Sequence, residues 1–162
     1  MRNFDAQPQR GLVKGRYMPR VTRSEVDLDL ARRMVAAAIQ TATQQQALVS
    51  AAVVDAGGHL ICFERMDGAE IAGPVLAVDK AYTAVAQRSG THELASMVAS
   101  GGSLAGMNSA DHGRYICFGG GLPLWSEGRV VAGIGVSGGT VEQDLAAAEA
   151  ARKLFIDAEA QV

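Results

Sequence analysis

Strand-forming segments occur in runs in this chain, two and then three, with helical stretches between the runs, and that order narrows the possible folds more than any single motif. Leu48 to Asp55 is apolar and β-branched, Ala56-Gly57-Gly58 is a turn, and His59 to Arg65 sets Leu60, Cys62 and alternate residues on one face. The pattern predicts a β-hairpin. Arg114 to Phe118, Leu122 to Ser126 and Arg129 to Ser137 read as three further strands, separated by Gly119-Gly120-Gly121 and by Ser126-Glu127-Gly128. A doubly wound parallel sheet needs strict alternation of strand and helix. The expected class is therefore α/β of the α+β kind, an antiparallel sheet covered by helices.

Helix signals fill the gaps. Thr22 and Glu25 make a capping box ahead of Val26, Leu30, Met34, Val35, Ala38 and Ile39, which keep helical spacing and predict a helix over 23–46. Gly73-Pro74 opens a second helix that runs to Gln87 and carries Lys80, Tyr82 and Thr83. Thr91 to Val98 is a short helix, and Ala99 to Gly113 is a loop of small residues long enough to be functional. Thr140 and Gln143 cap an Ala-rich helix to about Ala158, and the chain has no internal repeat.

At 162 residues and 48% hydrophobic content, the chain has the size of one domain with a core of its own. Fifteen Lys and Arg against 17 Asp and Glu give a formal charge of −2, so neither nucleic acid nor a membrane surface is an expected partner. Residues 1–20 differ: Arg2, Arg10, Lys14, Arg16 and Arg20 face only Asp5, which marks a basic arm ahead of a single domain over 21–162. The arm lacks the apolar core of a secretory signal, and no segment has the roughly 18 apolar residues of a membrane span. The expected address is cytoplasmic. Cys62 and Cys117 sit in apolar runs without CxxC spacing and read as buried thiols, while His59, His92 and His112 are too scattered to suggest a metal site.

Gly133, Gly135 and Gly138 satisfy G-x-G-x-x-G, but they lie within and after the last strand, with no later strand to complete a nucleotide fold. Close packing of strand on helix explains them better. Gly119-Gly120-Gly121 offers either an inter-strand turn or an anion nest whose Gly120 and Gly121 N–H groups would bind a carboxylate. Just before it, Arg114 is a candidate carboxylate clamp, Tyr115 a phenolic donor and His112 a proton shuttle, each weighed against an ordinary loop residue. Glu64 and Arg65, with Asp67, leave the hairpin together; Arg65 is a second candidate clamp and Glu64 a candidate proton donor, against the simpler reading of a solvated turn. Lys80 either joins that site or covers an exposed face beside Asp79.

Five ordered segments, Val54-Asp55-Ala56-Gly57-Gly58-His59-Leu60, Arg65-Met66-Asp67-Gly68-Ala69, Lys80-Ala81-Tyr82-Thr83-Ala84, Gly119-Gly120-Gly121-Leu122-Pro123 and Gly133 to Gly138 with Asp144, together resemble the GlcG/HbpS family over about residues 24–156. The resemblance implies a profilin-like five-stranded antiparallel sheet with helices on both faces, and homo-oligomers. Its members include haem-binding and haem-degrading proteins, domains attached to cobalamin adenosyltransferases, and 4-hydroxylaminobenzoate lyases. With no export signal apparent, the leading expectation is a cofactor-independent lyase of aromatic catabolism. It would bind a small aromatic acid, 4-hydroxylaminobenzoate, through Arg65, Lys80, Arg114, Gly120 and Gly121. Glu64, His112 and Tyr115 would move protons. The alternative is a haem- or corrinoid-binding protein without lyase activity, with His112 or Met107 as the iron ligand.

Overall fold

The structure, a computed structural model, describes residues 24–160. The basic arm and Thr22 lie outside the described residues. Four strands form one sheet: β1 (Ser50–Asp55), β2 (Leu60–Arg65), β3 (Gly121–Ser126) and β4 (Arg129–Ser137). Their order is β2-β1-β4-β3, and every neighbouring pair is antiparallel. The predicted hairpin forms, and the turn expected at Ser126-Glu127-Gly128 joins β3 and β4 in a second one. In the second, Glu127 and Gly128 have φ of 49° and 74°, the pair of left-handed residues that a two-residue hairpin turn requires.

The fifth strand does not form. Tyr115 to Cys117 has no regular secondary structure and joins no strand, and helix α2 (Gly73–Gln87) engages its backbone instead. Thr83 Oγ1 accepts from the Ile116 amide at 2.9 Å, while its single proton has the Asp79 carbonyl at 2.6 Å as its nearer acceptor and the Arg114 carbonyl at 3.2 Å as its farther one. A helix side chain thus satisfies backbone groups that a neighbouring strand would otherwise have to reach.

Helix α1 (Leu28–Gln44) is capped by Asp27, whose Oδ1 accepts from the Leu30 amide at 2.8 Å, five positions after the cap expected at Thr22. Its buried residues Ala31, Met34, Val35, Ala38 and Ala42 recur at helical spacing and pack against Ala147, Ala148, Ala151 and Phe155 of α4 (Val141–Glu159). The Thr140–Gln143 capping box at the start of α4 is present as expected. A short α3 (Ala95–Val98) and two 3₁₀ turns, Met107–Ser109 and Asp111–Gly113, make up the long loop before β3.

Strand alternation separates the two faces of the sheet. Ala132, Ile134 and Val136 of β4, with Val49, Ala51 and Val53 at and within β1, enter the core with α1 and α4. Gly133 and Gly135 point the other way, under α2, and in register Gly135 lies between Gly121 of β3 and Ala52 of β1. A methyl on Gly135 would overlap the Ala77 carbonyl oxygen and lie 2.6 Å from the Ala81 nitrogen. The glycines of the G-x-G run therefore let α2, through Ala77, Ala81 and Ala84, rest directly on the strand backbones. Close packing is their role. Among the described residues, no helix is long and apolar enough to cross a membrane.

Candidate functional site

The buried face of α2 holds an ion pair. Lys80 is completely buried; its Nζ lies 2.7 Å from Asp144 Oδ2, donates to the Val136 carbonyl oxygen at 2.8 Å, and sits 4.7 Å from the centre of the Phe118 ring. The other Asp144 oxygen accepts from the Gly139 amide at 2.9 Å. Burial pulls the Lys80 ammonium below its ordinary pKa and pushes the Asp144 carboxyl above its own, while their mutual attraction and hydrogen bond oppose both changes.

Gly120, with φ of 119°, closes over this pair: a Cβ there would lie 2.9 Å from Lys80 Nζ and 3.0 Å from Asp144 Cβ. The Gly121 amide already donates to Thr91 Oγ1 at 3.0 Å. Lys80, Gly120 and Gly121, expected to meet a substrate carboxylate, are thus buried around an internal ion pair. Of the two amides expected to form an anion nest, that of Gly121 is taken by Thr91. Asp79, the neighbour expected for Lys80, pairs instead with Arg114.

The outer face of α2 gathers a second cluster. Arg114 Nε lies 3.0 Å from Asp79 Oδ1, and its guanidinium stacks 3.7 Å from the Tyr82 ring centre. The Tyr82 hydroxyl donates to Asp111 Oδ2 at 2.6 Å, and the Tyr115 ring lies 5.9 Å from that of Tyr82. His112 is exposed, in left-handed backbone with φ 58°. The Asp111 hydrogen bond, with burial, pushes the Tyr82 phenol up to about 12. Tyr82 is a locked donor. Because its folded pKa exceeds the ordinary value of 10.0, this contribution to stability is complete below pH 10 and is lost as pH rises through about 12. In an absorbance titration of tyrosinate, Asp111→Asn is expected to bring one phenol back towards 10; an unchanged curve would remove the assignment.

The proposed clamp residues do not converge within the chain. Arg65 is exposed at the end of β2, where its guanidinium donates to the Ala69 carbonyl, and Glu64 is exposed on the same edge strand. Arg114 is neutralised by Asp79 on the outer side of α2. Both cysteines are half-buried, not fully buried as expected, and burial raises each thiol. Among the described residues no cluster of three or more His, Cys, Asp and Glu could hold a metal ion.

A groove of about 870 Å³ opens where the two hairpin turns meet the end of α2. Gly58, Tyr82, Val85, Arg88, Trp125 and Arg129 are among its walls. The first turn is closed by Asp55, whose Oδ1 accepts from the Gly57 and His59 amides at 2.7 and 2.9 Å. Nothing in the local pattern marked Arg88, Trp125 and Arg129 as neighbours, and Asp55 with His59 stood out only as part of a motif.

A four-stranded antiparallel sheet between a helix pair and a single helix, with an open groove at one end, defines a small α+β domain. The chain belongs to the HbpS-like family, described as haem degrading protein HbpS-like, whose model matches residues 26–153. It is 43% identical over 119 residues to a corrinoid adenosyltransferase PduO of Citrobacter freundii, covering 74% of this chain but only 36% of that protein. Among solved structures it resembles Klebsiella pneumoniae protein ORFY, at 37% identity and TM-score 0.83, over 87% of this chain and 98% of that one. It also resembles the PduOC:Heme complex, at 37% identity and TM-score 0.78, over 81% of this chain and 95% of that one.

These relatives bear the names of corrinoid chemistry and haem, and they overturn the expectation of a cofactor-independent 4-hydroxylaminobenzoate lyase of aromatic catabolism. The small aromatic acid loses its support, as does the expected lack of a cofactor. Within one chain, Arg65 and Arg114 are engaged separately, by the Ala69 carbonyl and by Asp79.

Proposed function

We propose that this chain binds a tetrapyrrole, with haem as the ligand, and assembles into homo-oligomers. The observation that carries the reading is the groove: its 870 Å³ lies in the range of about 300–1,000 Å³ found for cofactor sites, and its walls combine aromatic rings with two arginines. Tyr82, Val85 and Trp125 suit a flat apolar macrocycle, while Arg88 and Arg129 suit its carboxylates. Among the described residues neither arginine forms an ion pair, and Trp125 is 46% exposed and available for stacking. The family description and the likeness to the PduOC:Heme complex support the same ligand. Bound haem would supply a Lewis-acidic, redox-active iron; the chain's own part is to hold the ring and set its ligand.

Self-association is the second part of the proposal. Leu60, Ile71 and Val75, exposed at 53%, 90% and 64%, are apolar side chains that a neighbouring copy would cover. Sedimentation of the purified protein is expected to show an oligomer that dissociates when Ile71 and Val75 are both replaced by Ser. A wild-type monomer would remove this part.

Titration of the metal-free protein with haemin tests the ligand. A saturable Soret band at one haem per chain, absent with Trp125→Ala and weakened by salt, is the expected result. A band that grows without saturation would show adsorption alone and overturn the reading. Saturable binding of cobalamin without haem would move the ligand to the corrinoid class.

A further inference from the structure

We infer that the basic segment ahead of Ser24 docks back onto its own chain, seating Arg20 and Arg23 in an acidic cleft beside the groove. The cleft, of about 190 Å³, lies between the residues that lead into α1, the β3–β4 hairpin and the end of α4. Its floor is apolar, made by Val26, Leu30, Val131 and Phe155, and its rim carries Glu25, Asp27 and Glu159. No basic side chain lines it, and among the described residues none of the three carboxylates belongs to an ion pair. Two of them hold neutral groups: Ser126 Oγ donates to Glu159 Oε2, and Asp27 Oδ1 accepts from the Leu30 amide. The last turn of α4 has no basic residue either, so the negative end of its dipole adds to the attraction for a cation.

The occupant follows from where the chain enters. Ser24, the first described residue, is itself a wall of the cleft, and Arg23 and Arg20 immediately precede it in sequence. At about 3.3–3.6 Å per residue, even Arg20 stays within about 14 Å of Ser24, so both guanidiniums can reach the rim. The charges are complementary. Arg2, Arg10, Lys14, Arg16, Arg20 and Arg23 face only Asp5 ahead of Ser24, while the chain as a whole carries −2, which makes the remainder acidic. Tyr17, Met18 and Val21 supply apolar groups for the floor. A link this short gives an effective concentration in the mM range, so the cleft of the same chain is filled ahead of that of a second copy. Ser24, Ser126 and Val131 are walls of both the cleft and the larger groove, and the docked segment therefore borders the groove whatever ligand the groove takes.

Limited trypsin digestion of the full chain, followed by mass spectrometry, tests the docking, because the bonds after Arg20 and Arg23 are cut from the undocked form. Glu25→Gln/Glu159→Gln removes two exposed rim charges and leaves the Asp27 cap of α1 in place. This variant is expected to be cut after Arg20 and Arg23 about 2- to 10-fold faster than the wild type, the protection that two exposed ion pairs supply. The bond after Arg10 should be cut at the same rate in both. About 1 M salt, which shortens the Debye length to about 3 Å, should raise cutting after Arg20 relative to Arg10 in the wild type and leave that ratio unchanged in the variant. Equal rates at Arg20 in the two proteins would overturn the inference, as would an equal acceleration at Arg10, which would show general loosening. Protection at Arg20 that falls on dilution would place the segment on a second copy and overturn docking within the chain.

Discussion

Replacing Lys80 by Met should destabilise the domain by about 3–5 kcal/mol, the usual loss when one partner of a buried ion pair is removed. The methylenes of the two side chains are alike, so packing changes little; what changes is that Asp144, 3% exposed, is left in the interior without its cation. The Val136 carbonyl also loses its donor. Asp144→Leu should be costly for the converse reason, leaving a buried ammonium with one carbonyl. The double variant Lys80→Met/Asp144→Leu is expected to recover much of the loss, since a buried pair can often be exchanged for apolar groups at little net change. Urea unfolding of the four proteins measures this. A single-variant loss below about 1 kcal/mol would mean that water reaches the pair, and the buried-ion account would fall.

Gly135→Ala should be nearly as damaging although it adds one methyl group. The new Cβ would meet the Ala77 carbonyl oxygen and the Ala81 nitrogen, both on the α2 backbone, and neither can move without lifting the helix off the sheet. Overpacking of a close-packed core costs about 1–3 kcal/mol where side chains can adjust, and more is expected where only backbone is available. Lifting α2 would also shift Lys80 from Asp144 and Tyr82 from Asp111. Thermal unfolding with hydrogen exchange on α2 provides the readout: a lower midpoint and faster exchange along Ala77 to Ala84 are expected. Unaltered exchange in that segment would show that the sheet, not the helix, absorbs the strain.

Much of the architecture was legible because it is local. The turn residues Gly57-Gly58 and Glu127-Gly128 define the two hairpins, Pro74 starts α2, and Thr140 with Gln143 starts α4. These signals act over a few residues. Arg114 to Phe118 shows where local reading failed: its strand pattern was plain, but Thr83, over 30 residues away in sequence, captures its backbone groups. The helix expected from Thr22 began at Asp27 because either residue can cap and local propensity does not choose between them.

For the site, the sequence supplied the residue types without their partners. Lys80, Arg114, Tyr115 and His112 all stood out as chemically able, yet Lys80 is consumed by Asp144, 64 positions on, and Arg114 by Asp79, 35 positions back. The Asp55–His59 contact spans only four residues across a turn and was available from spacing alone. The approach of Trp125, Arg88 and Arg129 to one groove was not, because those residues come from the far hairpin and the end of α2.

By itself, then, the sequence determined the two β-turns and the helices around them, the antiparallel class of the sheet, the tight seat prepared by Gly133 and Gly135, and membership of the family. The tertiary structure decided which charges neutralise one another and which remain exposed. The physical reason is that propensity and turn geometry are settled within one or two turns of chain, whereas a buried charge must find its counter-charge wherever the packed elements bring one near, and desolvation makes that choice compulsory.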